Sequence, residues 1–324
     1  MKAAVIAAAG QSPAFGDFRE PTASEEFEVI TVCASALSQF SRSRSSGSHY
    51  SAEGIFPSVA GADGVGLTVE GQRVYFVLPE TPFGALAEKS LVRKPLCVPV
   101  PESLSDVTAA AIANPGMSAW AALVERARLQ PGETVLINGA TGSAGTLAVQ
   151  LAKYLGAAKV IATGRNEADL RALLSVGADE TIPFTLDRMQ PRGADEYEKA
   201  LPGEFAKGID VVLDYLWGES AKRIVIAIAK AVEDAAPVRF VHVGGVSGEE
   251  TIALPGAALR SSAIQLMGSG VKSIPLPKLL DCVRNVFAAV GAANLQIATR
   301  ILPLSEIEEA WKAPGKPRVV ITVS

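Results

Sequence analysis

The sequence predicts an α/β protein, a doubly wound parallel sheet preceded by a β-rich region, and three observations predict it. Thr134–Arg165 reads as strand, glycine turn, helix and strand in unbroken succession. Beyond it, apolar strand candidates and helical stretches keep alternating as far as Met267, the pattern of a parallel sheet with helices on both faces. Before it, residues 1–113 carry short apolar runs cut by glycine and proline, a β-rich composition.

The central unit is the most informative. Pro131-Gly132 introduces the run Val135-Leu136-Ile137, and a bend containing Gly139, Gly142 and Gly145 follows. Ala144, Leu147, Ala148, Leu151, Ala152 and Leu155 then recur at helical spacing up to Gly156, and Val160–Ala162 is a second buried strand. Such a βαβ unit is built to hold a dinucleotide. In its G-x-G-x-x-G fingerprint Ala140 stands first, while Gly142 and Gly145 take the second and third places, read as positions without room for a Cβ. Backbone N–H groups and the positive end of the helix face a pyrophosphate there. Gly139, Thr141, Gly142, Ser143 and Ala144 are therefore candidate cofactor contacts. NAD sites carry an acid about 20 residues past the turn; here the second strand runs out into Thr163-Gly164-Arg165-Asn166 without one. Arg165 is suited to pair with a 2′-phosphate, so the expected cofactor is NADPH, with Gly164, Arg165 and Asn166 at its adenosine end.

Composition sets the bounds. A chain of 324 residues, 48 % of them apolar, is long enough for two domains. A net charge of −4 argues against nucleic acid as a partner. Three scattered cysteines, Cys33, Cys97 and Cys282, suit a reducing compartment, and the expected location is cytoplasmic. No apolar run is expected to reach the roughly 18 residues of a membrane span, so no membrane association is expected. Met1–Ala9 has one basic residue ahead of a thin alanine-rich stretch, and an opening strand over Ala3–Ala8 is favoured over a signal peptide.

In chain order, Phe27–Val32 and Gln72–Leu78 read as strands, and Gly61, Gly64 and Gly66 as bulges or tight corners. Ser41–Ser48 reads as a polar loop with solvated arginines. Asn114-Pro115-Gly116 marks a boundary before a helix over Ser118–Leu129. Past the central unit comes a helix from Asn166, its N-cap, to Val176, with Gly177 just beyond. The strands Thr181-Ile182, Ile209–Asp214, Val238–Val243 and Ile264–Met267 follow, with a helix over Ser220–Val232 between the second and third. Helices over Lys278–Ala289 and Leu304–Trp311 and a strand over Val319–Val323 close the chain.

This order of parts resembles the medium-chain dehydrogenase/reductase superfamily, and within it the zinc-independent quinone oxidoreductase (zeta-crystallin-like) branch. The matching stretches are Pro57–Gly66, Gly71–Val74, Gly84–Glu88, Ser118–Trp120, Val135–Ala152, Asp210–Asp214 and Gly315–Ile321. The resemblance implies a GroES-like catalytic domain over 1–113 and 276–324 and a Rossmann domain over 114–275, with the active site in the cleft between them. Zinc-dependent members have Gly-His-Glu where this chain has Gly61-Ala62-Asp63, and a ligating cysteine where it has Leu37. Catalytic zinc needs about three protein ligands, so no metal is expected, and Asp63 is read as a structural hydrogen-bonding residue. The family often has Asn at the place of Leu37, and the Gly66–Gly71 segment is short for it.

Further site residues follow from the resemblance. Ser118 matches a threonine near the cofactor, and Gly244, Gly245 and Gly268 belong to the loops flanking the nicotinamide. Tyr50 matches a pocket tyrosine able to orient a carbonyl or supply a proton, the alternative being an exposed loop aromatic. His49 is read as a surface residue and His242 as a packed core histidine. No Tyr is followed four residues later by Lys, so Tyr-x-x-x-Lys catalysis is not expected. The expected activity is NADPH-dependent hydride transfer to a small electrophile. Quinone reduction, reduction of α,β-unsaturated carbonyls, and a sensing or structural role with little turnover all stay open. A homodimer is expected, because Ile264–Met267 ends the sheet order and would leave an edge unpaired.

Overall fold

Strands buried on both faces must be continuously apolar, and those of the second half of the chain are: Val135–Ile137, Val160–Ala162 and Val211–Leu213 are all fully buried. In the computed structural model, which describes residues 1–47, 54–184 and 191–323, the chain divides into two units. One comprises Met1–Asn114, Val283–Ala288 and Ile297–Ser324, the other Pro115–Cys282 and Ala289–Gln296.

The first unit is β-rich. Its strands are β1 (Lys2–Ile6), β2 (Ala14–Asp17), β3 (Phe27–Ala36), β4 (Ser58–Val59), β5 (Asp63–Leu67), β6 (Arg73–Val77), β7 (Lys89–Arg93) and β8 (Cys97–Pro99). The first strand ends at Ile6, short of Ala8. Two late strands, β15 (Thr299–Pro303) and β16 (Arg318–Thr322), return to it. They extend a sheet of order β15-β16-β3-β5-β6-β8, with β7 also paired to β3. Ile6, Leu37, Ala60, Leu86, Ile307 and Ile321 pack as one core cluster.

Two expectations for this unit are corrected. Gly64 and Gly66 are not corners: both lie within β5, and a Cβ on Gly66 would come within 2.3 Å of the Thr31 carbonyl oxygen. The irregularity falls opposite, on β3, where the register shifts between Val32 and Ala34. Ser41–Ser48 is not simply a loop, since Gln39–Ser45 forms helix α1. Ser38 caps it by accepting the Ser41 N–H at 2.9 Å. Arg42 is not solvated either; its guanidinium donates to the carbonyls of Ala310, Trp311 and Ala313 at the end of a later helix, Ile307–Lys312.

Asn114-Pro115-Gly116 does not break the chain. Helix α2 (Asp106–Trp120) runs through Pro115 and continues as a wide π turn over Ala121–Arg126. Proline removes one helical N–H, but Ala109–Ala113 are all fully buried and packing holds the segment. The expectation that no stretch matches a membrane span is also corrected. Asp106–Arg126 has the length and, at mean hydropathy 1.3, the composition of one, and 61 % of that window is buried inside the fold. Burial within the protein is the physical account of its apolarity.

The second unit is a six-stranded parallel sheet of order β11-β10-β9-β12-β13-β14. The strands are β9 (Thr134–Asn138), β10 (Lys159–Gly164), β11 (Glu180–Pro183), β12 (Val211–Asp214), β13 (Pro237–His242) and β14 (Ala263–Gly268). Helices α3 (Ser143–Tyr154), α4 (Glu167–Leu174), α5 (Pro191–Ala206), α6 (Gly218–Ala231) and α7 (Gly256–Arg260) connect them. Leu136, Ile161, Val212 and Phe240 from the sheet pack with Tyr197, Phe205, Ile224 and Ile228 from the helices. Numbering reverses direction at β9 and β12, the switch point at whose carboxyl end open α/β sheets bind ligands.

Candidate dinucleotide-binding site

The turn after β9 is shaped by two glycines with different reasons to be glycine. Gly139 takes φ +83°, and a Cβ there would lie 2.8 Å from the Leu216 side chain. Gly145 sits where the first turn of α3 crosses the bend, and a Cβ would lie 2.6 Å from both Ala140 Cα and the Gly139 oxygen. The Gly139 and Ala140 N–H groups both donate to the Thr163 carbonyl, at 3.2 and 2.9 Å, anchoring the turn to β10.

Gly142 differs from the sequence reading. It is the N-cap of α3 at φ −73°, ψ 165°, a conformation open to any residue. The only atom a Cβ would meet within 4 Å is the Gly139 oxygen, at 3.9 Å. The protein itself therefore leaves room for a Cβ here. No side chain caps the helix, so the N–H groups of Ser143, Ala144 and Gly145 lack intrahelical acceptors, and the first closed bond is Thr146 N–H to the Gly142 oxygen at 2.8 Å. An unfilled space beside three free donors at a helix N-terminus fits a phosphate group.

At the end of β10, Gly164 is buried against Thr141, whose Cγ2 would be 2.8 Å from an added Cβ. Arg165 is exposed and makes no ion pair or hydrogen bond among the described residues. Asn166 is committed elsewhere: its Oδ1 accepts the Asp169 N–H at 3.0 Å and caps α4, as its N-cap reading required. The structure brings Gly139, Thr141, Gly142, Ser143, Ala144, Gly164 and Arg165 to the same edge of the sheet.

The far half of that edge is equally constructed. After β13 the Val243 and Gly244 N–H groups donate to the Asp214 carbonyl at 2.7 and 3.2 Å. Gly244 lies over the Tyr215 main chain, while Gly245 and Gly268 have open space where a Cβ would be. Burial raises the Tyr215 phenol well above its ordinary range, and the Ser118 hydroxyl it faces works in the opposite direction without closing a hydrogen bond. Ser118, Tyr215 and Gly244 thus converge. Tyr50 and His49 lie outside the described residues.

A polar row that sequence reasoning missed underlies the whole edge. Thr163, Asn138, Asp214, His242 and Gly268 are register partners across five adjacent strands. Thr163 Oγ1 donates to Asn138 Oδ1 at 2.9 Å, and Asn138 Nδ2 donates to Asp214 Oδ1 at 2.8 Å. Asp214 is fully buried and also accepts the Leu216 and Trp217 N–H groups and His242 Nδ1. His242 is therefore not a packed core residue: its side chain is 36 % exposed. The available signal was that each of these polar residues comes at the end of an apolar strand.

The metal reading rests on the donors. Leu37 and Ala62 are buried, Leu37 among apolar neighbours, and Asp63 is engaged by the Tyr75 hydroxyl at 3.0 Å. Among the described residues no three His, Cys, Asp or Glu side chains come together to hold a metal.

With this geometry in hand, comparison with known proteins places the chain. Residues 144–285 match the zinc-binding dehydrogenase family model, which falls on the sheet and its helices and not on Leu37–Asp63. An Emericella nidulans protein named as a probable NADPH-dependent quinone reductase is 27 % identical over 320 residues, covering 87 % of this chain and 88 % of that one. The 2-methylene-furan-3-one reductase of Solanum lycopersicum is 32 % identical over 223 residues, 63 % of this chain, which spans 54 % of that relative. The solved quinone oxidoreductase of Thermus thermophilus, described also in complex with NADPH, superposes with a TM-score of 0.79 at 26 % identity over 99 % of this chain and 100 % of that one. These likenesses support the medium-chain dehydrogenase/reductase superfamily, in its zinc-independent quinone oxidoreductase-like branch, and an oxidoreductase activity.

Proposed function

We propose that the protein binds NADPH and reduces a small electrophile, a quinone in the first instance. The observation that carries this reading is the cradle at Gly142, open space beside three free N–H donors, with the unpaired Arg165 at the end of the neighbouring strand. When bound, NADPH supplies a hydride to an electrophilic carbon or quinone ring. The chain's own part is to bind and orient. Ser143, Ala144 and Gly145 N–H groups take the pyrophosphate, and Gly142 lets it approach. Arg165 takes the 2′-phosphate, since Thr163–Asn166 holds no carboxylate to repel it. Gly244, Gly245 and Gly268 leave the far half of the edge unobstructed. The E. nidulans relative's name supports the quinone; the S. lycopersicum relative's name supports an activated C=C acceptor, and turnover of a panel of quinones and enones with NADPH separates the two.

The cofactor choice is tested on binding. NADPH is expected to bind at least about tenfold tighter than NADH, a difference of about 1.4 kcal/mol. Arg165→Asp is expected to erase that preference while leaving NADH binding in place. Fluorescence titration with both cofactors measures it, and equal affinities in the unmodified protein would sink the 2′-phosphate argument.

We also propose a homodimer formed along β14. This strand ends the sheet order, and Leu266 on it is 41 % exposed with Leu259 of α7 at 47 %. An unpaired apolar edge is a pairing surface. Sedimentation at micromolar concentration should show a dimer, and Leu266→Glu a monomer. A dimer that survives this substitution moves the interface elsewhere.

A further inference from the structure

The residue that the cofactor reading leaves unused is His242, at the end of β13 and one strand from β12. Every other partner of the Asp214 carboxylate is a hydrogen-bond donor: Asn138 Nδ2 at 2.8 Å, Leu216 N–H at 3.2 Å and Trp217 N–H at 3.1 Å. The carboxylate therefore accepts throughout, and the 2.9 Å contact with His242 places the proton on Nδ1. That fixes the ring and leaves Nε2 without a partner among the described residues, on a side chain 36 % exposed. An imidazole oriented through Nδ1 by a buried carboxylate, with Nε2 outward, is an arrangement for handling a proton or an anion.

A second observation points the same way. The indole of Trp217 lies against the imidazole, ring centroids 4.5 Å apart. To put it there the backbone of Trp217 adopts φ 61°, ψ −160°, a region that is essentially glycine-only and costs about 1–3 kcal/mol for other residues. Strain of this kind persists only where the surroundings over-determine it, and here the Trp217 N–H, shared between both Asp214 carboxylate oxygens, does so. The chain spends conformational strain to hold this ring.

We propose that His242 is a dinucleotide-contacting residue: Nε2–H of its protonated form donates to an anionic oxygen of the bound cofactor, linking imidazole protonation to cofactor binding. This rests on the dinucleotide reading of the same sheet edge and adds a titrating contact to its far half. The charged groups around the ring are few. Asp214 on β12 is in contact. Across β14 stand the neutral Gly268 and Ser269, whose N–H donates to the His242 carbonyl at 2.8 Å. Beyond Trp217, Glu219 pairs with Lys222 and Arg223, and Glu249 accepts the Glu219 N–H. Arg239, on the same strand, pairs with Glu133.

The test uses the whole chain with NADP⁺, which binds without turnover. The sequence has two histidines, His49 and His242, so the imidazole signals of histidine-labelled protein are assigned by one variant, His242→Gln. Following the His242 signal by NMR across pH, saturation with NADP⁺ should raise its titration midpoint by about one unit, and by linkage NADP⁺ affinity should carry an approximately tenfold pH dependence through that ring. Because the 2′-phosphate itself binds protons, the binding arm is repeated with NAD⁺ and compared with His242→Gln, which should lose the ring's share in both. Saturable NADP⁺ binding that leaves the His242 midpoint unmoved overturns this proposal and spares the dinucleotide reading. Failure of both NADP⁺ and NAD⁺ to bind overturns the two together.

Discussion

Gly142→Val abolishes saturable NADPH binding while leaving thermal stability close to that of the unmodified protein; Gly145→Val does the reverse, losing the fold first. The two glycines belong to one fingerprint, but the structure gives them opposite reasons. At Gly142 the backbone is extended and an added Cβ meets nothing of the protein nearer than 3.9 Å. Valine is tolerated in that conformation, and the helix has no side-chain cap there to lose. What an isopropyl group does instead is fill the space beside the Ser143, Ala144 and Gly145 donors. A loss of at least a hundredfold in affinity, about 2.7 kcal/mol, is expected. At Gly145 even one carbon would sit 2.6 Å from backbone atoms of the turn, which cannot give way as a flexible side chain does. Overpacking costs about 1–3 kcal/mol or more even for small additions, and valine adds three carbons. Calorimetry and fluorescence titration on the two variants decide it. If Gly142→Val binds NADPH within threefold of the unmodified protein, the cradle is not where the pyrophosphate lies.

That contrast also marks how far the sequence could be read. The unit from Thr134 to Arg165 was legible because its information is local: apolar runs, a helical repeat and glycines all within one βαβ stretch. The N-cap at Asn166 was legible for the same reason. What stayed hidden depends on distant partners. Helix α1 has an almost wholly polar sequence with no apolar period, and is held by Ser38 at one end and by Arg42 reaching the Ile307–Lys312 helix, 268 residues away in sequence at Ala310. Asn114-Pro115-Gly116 reads as a breaker, yet a run of buried alanines carries the helix through it. His242 and Asp214 are 28 residues apart in sequence, and nothing in either neighbourhood announces that the two strands are adjacent and in register. Gly142 and Gly145 look alike in a motif because a motif does not say whether protein or ligand fills the missing Cβ. The zinc question was legible as chemistry, since apolar side chains at 37 and 62 cannot ligate whatever the fold does around them.

The role of Asp63 yields the last expected result, a double-mutant cycle in which two damaging substitutions largely cancel. Asp63 and Arg318 are both buried, 1 % and 5 % exposed. Asp63 accepts the Tyr75 hydroxyl at 3.0 Å and the Ser41 hydroxyl at 3.5 Å, but Arg318 Nε and Nη2 have no hydrogen-bond partner. Burial pushes the Asp63 carboxyl up to about 6, although Arg318 and the two hydroxyls pull it down. Burial likewise lowers Arg318. Removing one charge strands the other, so Asp63→Leu and Arg318→Met should each cost about 3–5 kcal/mol of stability, while the double variant, with both charges replaced by apolar groups, should cost less than either. The pH dependence has a definite sign. Because the folded carboxyl binds its proton more tightly than the unfolded one, whose ordinary value is 3.8, its contribution to stability is full below about pH 4 and is lost as pH rises through about 6. Measured as the difference between the unmodified protein and Asp63→Asn, that loss should amount to about 3 kcal/mol, at about 1.36 kcal/mol for each pH unit separating the folded and unfolded titrations. Denaturant unfolding at pH 4.5 and 7.5, the lower value lying already above the plateau, should read about 2 kcal/mol of that loss. A difference that stays flat between those pH values, or grows in favour of the unmodified protein as pH rises, would mean that Arg318 holds Asp63 charged and that the pair is a closed ion pair.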